Sequence, residues 1–328
     1  MLSLHGPEGP VVSETARLIA HDAVWLDLND PTSEEVEAVE AATGLRVPSR
    51  AALSEVETSS RLRRVKGGLS LSTPMITFER SASQLKPLGF LLTKDHLVTI
   101  RFHELRAFDS SAKRIADGDG SATPSEVFLV LLEELVDSLA DALEDMASEL
   151  DSLSTRIFDF DVRGAERRRL ESPPPRRRDL ALRRILRGIS NRGKVLGKIR
   201  ASLLGLERIV PFVAAACDAL GLPEDGRFDT IKRDIESLDE FETRLAENVQ
   251  FLLDAALGLI NIEQNNVFRV LTVVSVVGVP PTLIASMYGM NFKHMPELDW
   301  TYGYPYALAL ILLSALAPIV YFRIRGWF

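Results

Sequence analysis

Cysteine is almost missing: Cys217 alone occurs in 328 residues. An intrachain disulfide framework is therefore excluded, and a reducing compartment fits. The five histidines (His5, His21, His96, His103, His294) show no ligand spacing, which argues against a His/Cys zinc site. No glycine-rich nucleotide-binding motif is present, so ATP-driven pumping is not supported. The opening Met1 to Glu8 lacks the basic and apolar pattern of a signal peptide. Before Val267 no apolar stretch reaches membrane-spanning length. No Asp or Glu lies between Gln264 and Pro296.

That carboxylate-free region holds the long apolar runs. Val267 to Tyr288 contains 22 residues, roughly 33 Å as a helix, against a bilayer core of about 30 Å. Tyr306 to Phe322 contains 17, at the short end of the spanning range, with Tyr302, Tyr304 and Tyr306 as interfacial anchors. A short connection makes them a hairpin with both chain ends on one side. Arg323 and Arg325 follow the second run, whereas the loop sets Lys293 and His294 against Glu297 and Asp299. By the positive-inside tendency, both termini are expected in the cytoplasm.

Thr272, Ser275, Thr282 and Ser286 follow one another at +3, +7 and +4. At about 100° per residue they share one stripe less than roughly 100° wide. Asn265, Phe268 and Val279 fall in the same stripe, and Pro280-Pro281 interrupt the backbone ladder beside it. Helix–helix packing and pore lining both account for such a stripe. Two helices per chain cannot enclose a pore, so pore lining requires an oligomer. Upstream, Leu238, Phe241, Leu245, Asn248, Leu252, Ala255, Leu259 and Ile262 alternate +3 and +4, a heptad seam that either a second copy or the chain's own helices can cover. The simplest element is one helix from about Asp229 to Tyr288, a stalk that becomes a membrane helix.

Tyr288-Gly289-Met290-Asn291-Phe292, followed by Met295-Pro296-Glu297-Leu298, resembles the signature of the CorA magnesium transporters. Asn261 to Asn265, Ser275-Val276-Val277, Pro280-Pro281-Thr282-Leu283 and Gly303-Tyr304-Pro305 also resemble its proteobacterial branch. Weaker likenesses lie at Trp25 to Leu28 with Pro31-Thr32, Glu55 to Leu62, and Arg233 to Leu238, so the resemblance covers nearly the whole chain. It departs at Lys293, where an acidic residue is common, and at Val279, where Met or Leu is expected.

The resemblance implies a homopentameric channel for passive, potential-driven Mg²⁺ uptake across the bacterial inner membrane, closed by cytoplasmic Mg²⁺ and open also to Co²⁺ or Ni²⁺. It implies no enzyme activity and no resident cofactor; Mg²⁺ is both cargo and regulator. Gly289, Met290 and Asn291 become the selectivity filter, and Glu297 belongs to the external loop. Asn265, Phe268, Leu271, Thr272, Ser275, Val279, Thr282 and Ser286 become pore-lining, with Leu271 at a family constriction on the stripe's edge. Asp234 is the one regulatory metal candidate. Mg²⁺ surrenders its waters reluctantly, so neutral amide and carbonyl oxygens that accept from those waters suit its conduction. Gly289 is expected to adopt an unusual dihedral at the helix end. Two other readings stay open: a zinc transporter of the same superfamily, and a non-conducting membrane-anchored coiled-coil scaffold or sensor.

The remaining sequence divides by composition. Residues 1–120 read as an α/β domain, with strands near Val24 to Leu28, Leu69 to Phe78 and His96 to Phe102, and a helix over Ser33 to Thr43. Residues 121–228 read as a helical hairpin, acidic from Pro124 to Phe158, broken at Pro173-Pro174-Pro175, then basic to about Leu220. Stalk 229–266 and membrane domain 267–328 follow, with external loop 289–305. The arginine-rich segment could bind nucleic acid or anionic lipid, but a net charge of −8 and the acidic partner helix favour structural pairing. The expected partners are copies of the chain, membrane lipid and divalent cations, not nucleic acid.

Overall fold

The computed structural model describes residues 1–6, 9–11, 23–55, 57–65, 67–78, 83–118, 122–167, 175–216, 226–290, 296 and 300–327. Seven strands form one sheet: β1 (Leu2–Gly6), β2 (Gly9–Val11), β3 (Trp25–Asn29), β4 (Leu62–Val65), β5 (Gly68–Phe78), β6 (Ser83–Thr93) and β7 (Leu97–Arg101). Their order is β2-β1-β3-β7-β6-β5-β4. Every pairing is antiparallel except β3 with β7, where Asp27 stands beside Thr99.

Short helices α1 (Ser33–Thr43), α2 (Arg50–Leu53), α3 (Thr58–Arg61) and α4 (Arg106–Ala116) surround the sheet. Thr32 caps α1: its Oγ1 accepts from the Glu35 N–H at 3.3 Å, and Glu35 Oε2 accepts from the Thr32 N–H at 2.9 Å. This reciprocal box satisfies two donors that a helix start otherwise leaves open. Gly44, at φ 68°, takes the left-handed residue that ends the helix. Val39 and Leu53 join Leu26, Leu28, Val98 and Ile100 in one apolar core.

Long helices α5 (Pro124–Arg167), α6 (Pro175–Ala214), α7 (Arg227–Tyr288) and α8 (Gly303–Ile324) complete the chain. Phe128 of α5 meets Phe90 of β6 edge-on, with ring centres 5.4 Å apart. On α6, Ser202 Oγ accepts from the Ile76 N–H at 3.0 Å, and a Cβ at Gly205 would collide with Thr73 Oγ1. Glycine is what admits α6 to the sheet at that point. Arg192 of α6 pairs with Glu149 of α5 at 2.9 Å, and Gly188 lies by Leu153. The register runs in opposite directions, so α5 and α6 form the expected antiparallel hairpin. Contacts of Val249 with Gly193 and of Glu242 with Arg200 place α7 antiparallel to α6 in turn.

Two compact units emerge: Met1–Leu170 with Arg183–Leu253, and Glu171–Leu182 with Asp254–Phe328. The structure extends the sequence reading of the first. Strands β1, β2, β4 and β6 and helices α2, α3 and α4 were not expected, and α5 continues to Arg167 rather than ending near Phe158. The anticipated end of α6 near Leu220 falls outside the described residues. Helix α7 begins at Arg227, close to the expected start, and runs without a break through Pro280 and Pro281 to Tyr288.

A buried polar network crosses β3 and β7. The Arg101 guanidinium donates to both carboxylate oxygens of Asp27, at 2.8 to 3.2 Å, and to the His103 carbonyl at 3.0 Å. Thr99 Oγ1 donates to Asp27 at 2.7 Å and accepts from Trp25 Nε1 at 3.0 Å. Nearly complete solvent exclusion makes mutual pairing essential to these charges. His5 stacks on Trp25 at 4.3 Å. Its burial, reinforced by Arg101 and opposed by Asp27, lowers the imidazole pKa below the ordinary value.

Candidate functional site

Val267 to Tyr288 and α8 lie in the second unit. In hydrocarbon each backbone group needs an internal partner, so an uninterrupted apolar run of this length is helical despite its many β-branched valines. Both helices are long and apolar enough to cross a membrane. From Asn266 to the end of α7 the half-buried residues are Asn266, Val273, Val277, Pro280, Pro281, Ile284 and Tyr288. Their spacing describes a single seam. Gly303, Ala307, Ile311, Ser314, Pro318 and Phe322 form the corresponding sheltered side of α8.

Asn265, Phe268, Thr272, Ser275, Val279, Thr282 and Ser286 are all exposed in the single chain. At about 100° per residue, their stripe points roughly 150° away from the seam. Leu271 is also exposed and lies at the stripe's edge. The hydroxyls therefore do not serve packing inside the chain's own helix pair. Thr272 Oγ1 donates to the Phe268 carbonyl at 2.8 Å, and Thr282 Oγ1 donates to the Gly278 carbonyl at 2.8 Å. With each proton directed into the helix, the oxygens present lone pairs outward. Such a stripe accepts hydrogen bonds, as the outward protons of a hydrated cation require. Pro280 and Pro281 lack the N–H groups that would serve the carbonyls of Val276 and Val277, adding acceptor capacity near Val279.

At the far end of α7, the Gly289 N–H donates to the Ala285 carbonyl at 3.0 Å, and Met290 N–H to Met287 at 3.3 Å. The unusual dihedral expected of Gly289 is not found, since the positive-φ glycines among the described residues are Gly44, Gly67, Gly226 and Gly326. A Cβ at Gly289 would instead lie 3.3 Å from the Ala285 carbonyl oxygen, a tight fit against the final turn. Gly289 and Met290 are exposed. Asn291 and Glu297 lie outside the described residues.

The predicted heptad seam is partly consumed within the first unit. Leu245 and Leu252 are buried there, while Ile262, in the second unit, remains half exposed; off the seam, Phe251 and Leu257 are at least half exposed as well. Phe251 packs against Phe158 of α5, with ring centres 6.3 Å apart, and still leaves more than half of its surface open. Glu242 is buried beside Arg200 at 3.3 Å. Its carboxyl pKa is pushed up by burial, a rise that Arg200 opposes and Asp239 adds to.

Asp234 is exposed near the start of α7, and it acts on the acidic side of α5. Burial first, then Glu134, Glu133, Asp141 and Asp234, hold the Asp137 carboxyl above the ordinary carboxylate range. The structure thus places Asp234 within electrostatic range of Asp137 in one subunit, as the weakest of the influences on that carboxyl, which sequence spacing alone could not reveal. Among the described residues no group of three or more metal-ligating side chains is poised to hold an ion. Beside this face, Glu133 pairs with Arg114 of α4 and with Arg227, the first residue of α7, each at 2.8 Å. Sequence reasoning missed this junction because Arg114 belongs to an unanticipated helix.

Together the mixed sheet, the long helices and the apolar C-terminal hairpin with an outward polar stripe define a two-span membrane protein of the ion-transporter class. The chain belongs to the CorA-like Mg²⁺ transporter protein family, whose profile matches residues 20–324. It is 36% identical over 322 residues to the magnesium transport protein CorA of Salmonella typhimurium, covering 96% of this chain and 95% of that one. The corresponding protein of Haemophilus influenzae is 34% identical over 311 residues, covering 93% and 92%. Curated relatives of this kind are named as transport proteins, not enzymes. Among solved structures, the complete CorA magnesium transporter of Methanocaldococcus jannaschii matches with a TM-score of 0.75 at 20% identity, covering 100% of this chain and 98% of that one. The cytoplasmic domain of ZntB from Vibrio parahaemolyticus matches at 0.58 and 12% identity over 80% and 98%, a likeness of fold alone.

Proposed function

We propose that the chain is one subunit of a homo-oligomeric Mg²⁺ channel, a pentamer, in the bacterial inner membrane with both termini cytoplasmic. The observation that carries this reading is the direction of the acceptor stripe on α7, away from its own chain's second helix. Copies arranged around an axis would turn that stripe inward and cover Phe251, Leu257 and Ile262. The hydroxyl oxygens would accept from the waters of a passing ion, which need not be stripped. Asn291 and Gly289 would form the outer filter, where an amide ring and backbone carbonyls select by the same principle, with Met290 between them. Val279 would be the apolar constriction in that path, and Leu271 a second one at its edge.

Uptake would be passive. The membrane potential favours inward movement by about 2.3 kcal/mol per charge per 100 mV, hence about 4.6 for a divalent ion. Co²⁺ and Ni²⁺ would share the path, since no charged ring discriminates among hydrated divalent ions. Cytoplasmic Mg²⁺ would close the channel by binding at Asp234.

The test is Mg²⁺ uptake in a transporter-deficient, magnesium-starved strain, with Co²⁺ and Zn²⁺ as competitors. Wild type restores uptake, and Asn291→Ala loses it while assembling and inserting normally. Normal uptake by an assembled Asn291→Ala protein refutes the filter assignment. Preferential Zn²⁺ flux would instead assign the chain to zinc transport, and absence of any flux from purified protein in liposomes would make it a scaffold.

A further inference from the structure

At the end of α8, opposite the proposed filter, the chain makes a defined hook. Gly326, at φ 69°, donates its N–H to the Arg323 carbonyl at 3.1 Å, and the Trp327 N–H reaches the Phe322 carbonyl at 3.0 Å. These two bonds form a Schellman motif, which satisfies carbonyls that the helix end would otherwise leave open. The motif's apolar contact is present too: Trp327 stacks on buried Phe322, with ring centres 5.0 Å apart. The hook carries Trp327 back toward α7, where the Arg269 guanidinium lies 5.9 Å from its ring centre. Arg325 rests over Tyr321 at 5.7 Å.

Arg269 therefore faces Trp327, while Arg323 in the last turn of α8 and Arg325 at its cap lie at the same end of the apolar helices. The ion pairs of the described residues include none of the three. No Asp or Glu occurs in the sequence from Asn265 to Met295 or after Asp299, so the side chains of the membrane segments supply no counter-charge. The last carbonyls of α8 add partial negative charge, which favours cations there without neutralising them. Outward-facing residues of α8 such as Leu312, Leu313, Leu316 and Val320 are apolar, a face suited to lipid, unlike the striped side of α7. In a bilayer spanned by both helices the three guanidiniums would lie at headgroup depth, with Trp327, a side chain suited to the interface, beside Arg269.

We propose that Arg269, Arg323, Arg325 and Trp327 form a binding site for the phosphate headgroup of an anionic phospholipid. Guanidiniums give bidentate donors to phosphate oxygens, while Trp327 fixes Arg269 and packs along the glycerol and upper acyl region. The hook makes this a shaped site, because the Schellman motif sets where Trp327 sits. It does not depend on conduction, only on insertion of the two helices.

The test uses the full chain purified in detergent and titrated separately with phosphatidylglycerol, phosphatidylcholine and inorganic phosphate. Quenching of tryptophan fluorescence by a headgroup spin label and the shift in Tm report binding. Phosphatidylglycerol is expected to bind saturably, with phosphatidylcholine and inorganic phosphate inert. Each arginine near an anionic surface contributes a factor of about five, so the triple variant R269Q/R323Q/R325Q should bind about a hundredfold more weakly. The triple lysine variant should retain most of the affinity, and Trp327→Phe should remove most of the quenching. If the triple glutamine variant does not fold, R325Q alone should show the single factor of about five. Saturable binding of inorganic phosphate would overturn the lipid assignment in favour of a soluble anion. Unchanged phosphatidylglycerol affinity in a folded glutamine variant would overturn the site.

Discussion

Replacing Thr282 by valine tests whether the outward stripe conducts. The two side chains have nearly the same shape, so any effect comes from the oxygen. In the structure, the Thr282 hydroxyl spends its proton on the Gly278 carbonyl at 2.8 Å and is otherwise exposed. Such back-bonding slightly destabilises helices, and its loss should leave α7 intact. In a pore, each copy would lose one acceptor for the waters of the passing ion. A net hydrogen bond is worth about 1 kcal/mol, and an ion off-axis reaches at least two subunits' hydroxyls at once, giving about 2 kcal/mol. At about 1.4 kcal/mol per tenfold, Mg²⁺ flux should fall roughly thirtyfold.

The assay is Mg²⁺ influx into proteoliposomes under an imposed potential, read by an enclosed indicator dye. Ser314→Ala is the control, because its hydroxyl donates to the Ile311 carbonyl at 2.8 Å on the sheltered side of α8. That variant should conduct normally. Equal flux through wild type and Thr282→Val, with oligomeric state unchanged, would refute the acceptor-stripe argument.

Val279→Asp should wet an apolar ring and raise Mg²⁺ leak under high internal Mg²⁺; unchanged leak would move the closure to another residue, with Leu271 the next to test. Asp234→Asn should require more Mg²⁺ for closure and for protease protection, both curves moving together because one binding event controls them. Folding stability should also depend on pH through Asp137: its raised pKa means that the uncharged carboxyl helps most below about pH 4 and that this help is lost as pH rises through the raised value. Stabilisation by Mg²⁺ should accordingly be largest at neutral pH and fade on acidification, and a pH-independent Tm shift would refute the electrostatic basis. Arg101→Ala should destabilise the sheet by about 3–5 kcal/mol, since it leaves Asp27 buried without its partner, a loss measurable by thermal unfolding followed by circular dichroism.

What could be read from the sequence was whatever repeats locally. The membrane runs and the stripe are periodic over many turns, so α7 and α8 appear close to their observed bounds. Thr32 with Glu35 similarly announces the start of α1. Strand β6 escaped notice because Ser83 to Leu88 contains Lys86 and Pro87 and lacks clean alternation; its identity depends on an eleven-residue register with β5. The buried Asp27–Arg101 pair is separated by 74 positions and exists only because β3 and β7 are parallel neighbours. Asp234 could be selected from its motif, but its neighbour Asp137 required α5 and α7 to be placed side by side. Trp327 carried no signal in the sequence reading, and only the Gly326 hook brings it to Arg269.

The proposed regulation and conduction share one element, and this sets what any gating account must explain. Helix α7 spans 62 residues, with Asp234 near one end and the acceptor stripe toward the other. A bound ion can favour closure only through higher affinity for the closed arrangement. Asp137 and Asp234 repel within a subunit, so neutral-pH folding already places charge where a cation relieves it. Glu133 ties Arg227 and Arg114 into the same neighbourhood, which limits how freely the first turn of α7 can move away from α5. On the proposed reading, gating by cytoplasmic Mg²⁺ would reduce to competition between carboxylate repulsion and the ion that cancels it, carried along a helix whose described backbone has no gap between Arg227 and Tyr288.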